Sequence, residues 1–253
     1  MASEQQTGGE GVSTTRKTFE ILETIKDGDG LTITEMTRQT GLTKSTVYRH
    51  LQTLEDMGYV VERNGNYHIG LRMLEIAEQT RNREPGYTIA QRKVFELGRE
   101  TDERSVFLIE EDFEGVYLHR YDSPTNTMVG ERRPLHSLAS GKTILSEWDD
   151  ETVERFIERK GLEAHTPNTI TERDQLFEEI EQIRKQGYAT NAEEYMEGLY
   201  GVAVPVYTPD DQFLGSLGLF GPTSRFSEEY IHDDLVNRLW DKAGEIKVTL
   251  AYG

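Results

Sequence analysis

Between Thr18 and Ile69 the residues repeat in a way that few folds accommodate. Thr18, Ile21, Leu22 and Ile25 fall at i, i+3, i+4 and i+7, one face of a helix. The run DGDG (27–30) breaks that face. A second helix is predicted over 33–40, closed by Gly41, which suits the left-handed backbone of a sharp turn. Thr43 then offers an N-cap for a third helix over 44–57. Within it Val47, Leu51 and Leu54 share one face, while Ser45, Arg49 and Gln52 point the opposite way. Helix, glycine turn and helix make a helix-turn-helix, whose last helix is the kind that lies in the major groove of DNA. Two β-rich runs (59–62 and 67–69) follow, flanking Arg63-Asn64-Gly65-Asn66. Asn-Gly between such runs predicts a hairpin, and a hairpin here is a wing.

Charge sharpens this reading. The chain of 253 residues carries 46 acidic against 28 basic residues, a net −18, and only nine of the basic residues are lysine. The acids are scattered rather than gathered in a tail. That fits either a well-solvated acidic surface or adaptation to molar salt, where carboxylates keep a surface hydrated. Yet residues 36–54 hold no Asp or Glu and carry Arg38, Lys44 and Arg49. An acid-free window in so acidic a chain is the electrostatic footprint of a nucleic-acid reader, although these could also be ordinary exposed helix residues. Ser45, Thr46, Tyr48 and Arg49 are placed for the groove, with Thr43 at the helix start. Arg38 and Lys44 are placed for phosphates, and Arg63 for the backbone or minor groove. At molar salt the Debye length shrinks to about 3 Å, so remote carboxylates barely repel the duplex.

Other chemistry is thinly represented. With no cysteine there are no disulfides or thiolate metal sites, which fits a cytoplasmic protein. No apolar run approaches a membrane span, and the first residues lack the layout of a signal peptide. His119, His136 and His165 are too irregularly spaced for metal, so neither metal nor cofactor is expected. Glu193-Glu194 suggests a catalytic pair, but neighbouring residues point apart, so an anchor at a strand end is the better reading. Trp148 and Trp240 read as packing or interface residues.

Gly141-Lys142-Thr143 resembles the end of a phosphate-binding loop. Such a loop needs a glycine five positions before Gly141, where this chain has His136, and no buried strand precedes it. What remains is Pro134, then the small residues Ser137, Ala139, Ser140 and Gly141, then an apolar stretch. That suits a helix whose first turns approach something closely: an anion held by free N–H groups, or only a neighbouring sheet.

The segment RRPLHSLASGKTIL resembles the signature of the IclR family of transcriptional regulators, P-L-H-x-x-A-x-G-K-x-x-L. GYATNAEEYMEGLYGVAVPVY (187–207) and LGSLGLFGPTSRF (214–226) resemble two further segments of that family, and GLTKSTVYRHLQTLEDMGYV its N-terminal domain. The resemblance implies an α+β chain: a winged helix-turn-helix joined by a helical linker to a GAF-like effector-binding domain with a curved antiparallel sheet. The expected layout is a disordered lead (1–13), a DNA-binding domain (14–70), a linker helix (71–85) and an effector domain (86–253). Within the last, helices are expected over 88–101, from Thr171 with a cap, and over 227–250. Strands are expected near 105–110, 115–121, 202–207 and 213–220. Carried over by motif position, the effector site comprises Arg133, Ala139, Ser140, Asn191, Leu199, Gly201, Gly218 and Phe220. Arg133, Asn191 and Phe220 depart from common family choices, which points to a sugar acid or its keto derivative, with an aromatic acid stacking on Phe220 or Tyr195 as the second reading. The implied partners are double-stranded DNA with a pseudo-palindromic operator, a small organic acid, and further copies of the chain as dimer or tetramer. The rival reading is an enzyme fused to a DNA-binding module, which needs a nucleophile and base near Ser140 or His136.

Overall fold

The computed structural model describes residues 11–28, 30–121, 129–227 and 230–253, arranged as two compact units, Met1–Thr80 and Arg81–Gly253. Residues 1–10 of the expected lead lie outside the described residues, as do Asp29 of the DGDG break and residues 228–229. Ser13, the last residue of that lead, already opens the first helix.

The first unit holds α1 (Ser13–Lys26), α2 (Ile33–Thr40), α3 (Lys44–Asp56), β1 (Val60–Arg63), β2 (Asn66–Ile69) and α4 (Met73–Arg81). Ile21, Ile25, Met36, Val47 and Leu51 are fully or almost fully buried and form its centre, so the helical spacing in the sequence is the core itself. Thr32 and Glu35 cap α2 reciprocally: the Thr32 hydroxyl accepts from the Glu35 amide (3.3 Å), and the Glu35 carboxylate accepts from the Thr32 amide (2.9 Å). Gly41 ends α2 in the left-handed region (φ 68°). In the wing Asn64 and Gly65 both have positive φ (55° and 84°), as the two central residues of a tight hairpin require. Leu31 and Tyr67 exchange backbone hydrogen bonds of 3.1 and 2.9 Å, tying the wing to the start of α2.

The second unit is built on a six-stranded antiparallel sheet. Its strands are β3 (Arg104–Glu111), β4 (Glu114–Tyr121), β5 (Arg132–Arg133), β6 (Ala189–Ala192), β7 (Leu199–Tyr207) and β8 (Phe213–Pro222), in the order β5-β4-β3-β8-β7-β6. Alternate residues face opposite layers, as strand geometry dictates. Phe107, Ile109, Val202, Val204, Leu217 and Leu219 face α5 (Pro85–Thr101) and α9 (Val236–Tyr252). Val106, Leu108 and Tyr117 face α6 (Ala139–Ser146), α7 (Asp150–Lys160) and α8 (Arg173–Gln186). On that second face β7 and β8 contribute Gly201, Ala203, Ser216 and Gly218, so small residues cluster where α6 crosses.

Several local expectations need correction. Thr171 caps nothing: α8 starts at Arg173, and its N-cap Glu172 makes no side-chain cap bond. Helix α5 starts at Pro85, where a fixed φ and a missing N–H are tolerated, rather than at Thr88. The closing helix begins with a π-helical turn over Ile231–Leu235 before α9 proper. Helix α7 and strand β6 were not predicted. Asp149 caps α7, accepting from the Thr152 amide at 2.8 Å.

His119 shows what burial costs here. It is 3% exposed, its Nε2 donates to the Tyr87 carbonyl (2.7 Å), and burial depresses its pKa to about 4, with the hydrogen bond opposing. In the unfolded chain it titrates near 6.5. The folded state therefore binds fewer protons between those values. Stability is fully present above pH 6.5 and declines as pH falls toward 4, by about 3 kcal/mol in all. Thermal melts between about pH 7 and 5 are expected to fall more shallowly for His119→Gln than for the parent; parallel slopes count against this account.

Candidate nucleic-acid interface and ligand cavity

Helix α3 buries Val47, Leu51 and Leu54 and presents its other faces to solvent. Lys44, Ser45, Tyr48 and Arg49 are exposed, as are Arg38 near the end of α2 and Arg63 at the wing; Thr46 is half-buried. Thr43 belongs first to the helix: its hydroxyl accepts from the Thr46 amide (3.3 Å) and shares hydrogen bonds with the Ser45 and Thr46 hydroxyls (3.1 and 2.9 Å). That cluster fixes the helix start while Lys44 projects outward. No acidic residue occupies the first turn of α3, so its amides and Lys44 offer one positive end.

In the second unit, a cavity of about 160 Å³ opens between the sheet and the start of α6. Arg133, Ala139, Ser140, Asn191, Leu199, Gly201 and Phe220 line it, and Gly218 does not. Gly218 lies beneath the lining: a Cβ there would sit 2.5 Å from the Ser140 hydroxyl oxygen. The sheet register explains the convergence. Arg104 pairs with Phe220, Phe220 with Gly201 and Gly201 with Asn191, so one row across four strands faces the cavity. The adjacent row pairs Arg120 with Val106 and Val106 with Gly218.

That register brings in residues which spacing along the chain does not reveal. Arg104, Arg120 and Tyr117 line the cavity with Tyr195. The Arg120 guanidinium lies 5.1 Å from the Phe220 ring centroid and 5.7 Å from that of Tyr117. Arg133 lies 5.8 Å from Tyr117 and 5.9 Å from Tyr195, and Arg104 lies 5.9 Å from Phe220. Arg133 also pairs with Glu131 and donates to the Arg132 carbonyl (3.1 Å). Asn191 is committed to the backbone: its Nδ2 donates to the Ser137 carbonyl (2.8 Å) and its Oδ1 accepts from the Glu194 amide (2.8 Å).

The Gly-Lys-Thr tripeptide is structural. A Cβ at Gly141 would overlap the Leu135 backbone, so only glycine lets α6 pack there. Lys142, 1% exposed, donates to Glu179 and Glu194 (both 2.7 Å). Burial pushes the Glu194 carboxyl up and the neighbouring Lys142 opposes it. Thr143 donates to the Ala139 carbonyl (3.0 Å). Helix α6 itself starts with Leu138 as N-cap and no side-chain cap, and Leu138, Ala139 and Ser140 line the cavity.

His136 is buried, which holds its pKa down, and its Nε2 donates to the Glu163 carbonyl (3.0 Å). Trp148 packs edge-on against Phe113 and Phe156, as a packing residue would. Among the described residues no His, Asp and Glu cluster could hold a metal ion, and no helix is long and apolar enough to cross a membrane.

Comparison with known proteins accounts for both units. Residues 14–64 match the IclR helix-turn-helix domain, and residues 82–248 match the bacterial transcriptional regulator IclR C-terminal domain. The transcriptional regulator KdgR of Escherichia coli is 32% identical over 95% of this chain and 94% of its own length. The IclR structure from Thermotoga maritima is 29% identical, with a TM-score of 0.80 over 94% of this chain and 99% of that one. A double mutant of the inducer-binding domain of PobR from Acinetobacter, solved with 3-hydroxybenzoic acid, is 28% identical, with a TM-score of 0.59 over 62% of this chain and 95% of that one. Relatives of this kind are transcriptional regulators, not enzymes. With a winged reader, a six-stranded sheet domain and matches across both, the chain belongs to the IclR family of transcriptional regulators.

Proposed function

We propose that this chain reads a pseudo-palindromic operator through α3 and its wing, as a homodimer or a pair of dimers, and controls a catabolic operon in response to a small organic acid. The acid sits in the GAF-like sheet unit, and its preference for one arrangement of the paired readers shifts their equilibrium. The observation that carries this reading is the cavity at the start of α6: uncapped helix amides and Ser140 meet guanidinium groups in one small space. A sugar acid or keto acid is the favoured effector. An aromatic acid is the second reading, supported by the rings of Tyr117, Phe220 and Tyr195 in the lining and by the 3-hydroxybenzoic acid bound to the PobR domain.

For the DNA side, Ser45, Thr46, Tyr48 and Arg49 enter the groove; Arg38, Lys44 and Arg63 touch phosphates; Thr43 holds the helix start. A second copy packs on the α1 and α4 side of an apolar groove, where Phe19 and Ile76 are 60% and 53% exposed, and leaves the Thr46 and Arg49 side on α3 to the DNA. The surplus of carboxylates suits a salt-adapted protein, in which short-range contacts carry binding that long-range attraction does not.

Two experiments test this. Gel shifts with the DNA upstream of the protein's own gene are expected to weaken about tenfold for Arg49→Ala. The slope of log affinity against log salt is expected to be no steeper than about −3 per half-site, for three phosphate contacts; a much steeper fall above physiological salt overturns the salt-adapted reading. In the cavity, a Cβ at Gly201 meets only ordinary contacts (3.5–3.7 Å), so Gly201→Ala should fold, keep its DNA affinity and bind organic acids about tenfold more weakly. Unchanged acid binding in Gly201→Ala would remove the effector site from this cavity.

A further inference from the structure

Strand β4 breaks its alternation at one point. The ladder steps from Phe107 opposite His119 to Leu108 opposite Tyr117, which leaves Leu118 as an extra residue in a bulge. Four consecutive residues are thereby sorted two and two. Tyr117 and Arg120 line the cavity, while Leu118 and His119 turn to the opposite face, the apolar layer that holds α5 and α9. We infer that His119 is the tie through which an acid in the cavity acts on the start of α5, where the chain arrives from the DNA reader. The inference rests on the reading of this cavity as the effector site.

The tie is costly for what it does locally. His119 is buried in an apolar layer, and a buried polar ring needs a partner to offset its lost hydration. That partner is the Tyr87 carbonyl, at 2.7 Å, in the first turn of α5. A carbonyl at that position already accepts inside the helix, from the amide four residues on. The histidine bond therefore rescues no stranded backbone group, and an apolar side chain would fill the same layer without the desolvation. What histidine adds is a directional grip on one turn of one helix. Tyr87 also rests edge-on against Phe107, with ring centroids 6.2 Å apart, and a Cβ at Gly86 would overlap the Leu214 side chain. The first turn of α5 thus lies flat on the sheet and follows it.

Position gives the grip its meaning. Helix α4 ends at Arg81 and α5 starts at Pro85, so Asn82, Arg83 and Glu84 alone lie between the helix that follows the wing and the turn that His119 holds. An acid that meets Tyr117 or Arg120 bears on one face of the bulged run, and His119 stands on the other face of the same run. Bulges re-aim the side chains beside them, so a shift of Tyr117 or Arg120 alters where the His119 ring points and, with it, the seat of Tyr87. Acid binding and DNA binding are then coupled through this bond, and linkage makes the coupling equal in both directions. His119 is not part of the cavity lining. It is a positioning residue that acts through the Tyr87 carbonyl.

The test uses the full chain, the DNA upstream of its own gene, and three probes: pyruvate, gluconate and 3-hydroxybenzoate. At least one probe is expected to bind the parent and change its DNA affinity about tenfold or more. His119→Leu is expected to bind that acid, and to bind DNA without acid, within about threefold of the parent, while the acid-driven change in DNA affinity falls below about threefold. His119→Gln, whose amide can still donate to the Tyr87 carbonyl, is expected to keep a change of about fivefold or more. A full response surviving in His119→Leu overturns the inference and leaves the effector reading standing. So does a His119→Leu chain that loses acid or DNA affinity outright, which marks the residue as structural only. If His119→Leu does not fold, hydrogen exchange of the parent decides: the acid is expected to change the protection of amides 88–92, and an unchanged α5 start overturns the inference. Binding by none of the three acids, or a bound acid that leaves the parent's DNA affinity unchanged, overturns the effector reading and the inference together.

Discussion

The buried ammonium of Lys142, held between Glu194 and Glu179, is the contact on which the second unit turns. It joins α6, α8 and the segment between β6 and β7, of which α6 and the β6–β7 segment line the cavity. Buried ion pairs add little net stability compared with apolar packing, because desolvation cancels most of the attraction. Removing one partner is another matter, since the other is left charged and without water. The pair therefore specifies an arrangement more than it strengthens one. Asn191 extends it: bonded to Ser137 on one side and to the Glu194 amide on the other, it ties the cavity rim to the same anchor.

Much of the fold was legible because its signals are local. The period of Ile21, Leu22 and Ile25, the left-handed Gly41, and the Asn64-Gly65 hairpin each follow from backbone preference within a few residues. Helix α7 escaped because its sequence DETVERFIERK is charged nearly throughout and buries only Val153 and Phe156. The misplaced cap at Thr171 shows the limit of capping patterns, which say where a helix can start and not where the chain arrives in a helical direction.

The cavity was legible only in part, and for a definite reason. Ala139, Ser140 and Gly201 lie in segments whose small residues or family likeness mark them. Arg104 and Arg120 sit in ordinary strands with nothing nearby to distinguish them. They reach the cavity because β3 pairs with β8 and β4 with β3 in one register, and a shift by a single residue turns both to the other face. Asn191 was placed as a ligand contact on position alone; its amide group is engaged with backbone, which only the folded chain reveals. The Gly-Lys-Thr tripeptide serves close packing on Leu135 and a buried ion pair, and the partners of that pair lie 37 and 52 residues away.

The cross-strand row Arg104, Phe220, Gly201 and Asn191 carries a consequence for how such a sensor diversifies. Its side chains stand on one face of the sheet, while the apolar residues that bind α5 and α9 stand on the other. Exchanging a side chain at Phe220 or Arg104 repaints the chamber without disturbing the opposite packing layer. A lineage, or a biosensor engineer, thus has an alphabet of positions whose exchange leaves the seat of α5 and α9 in place.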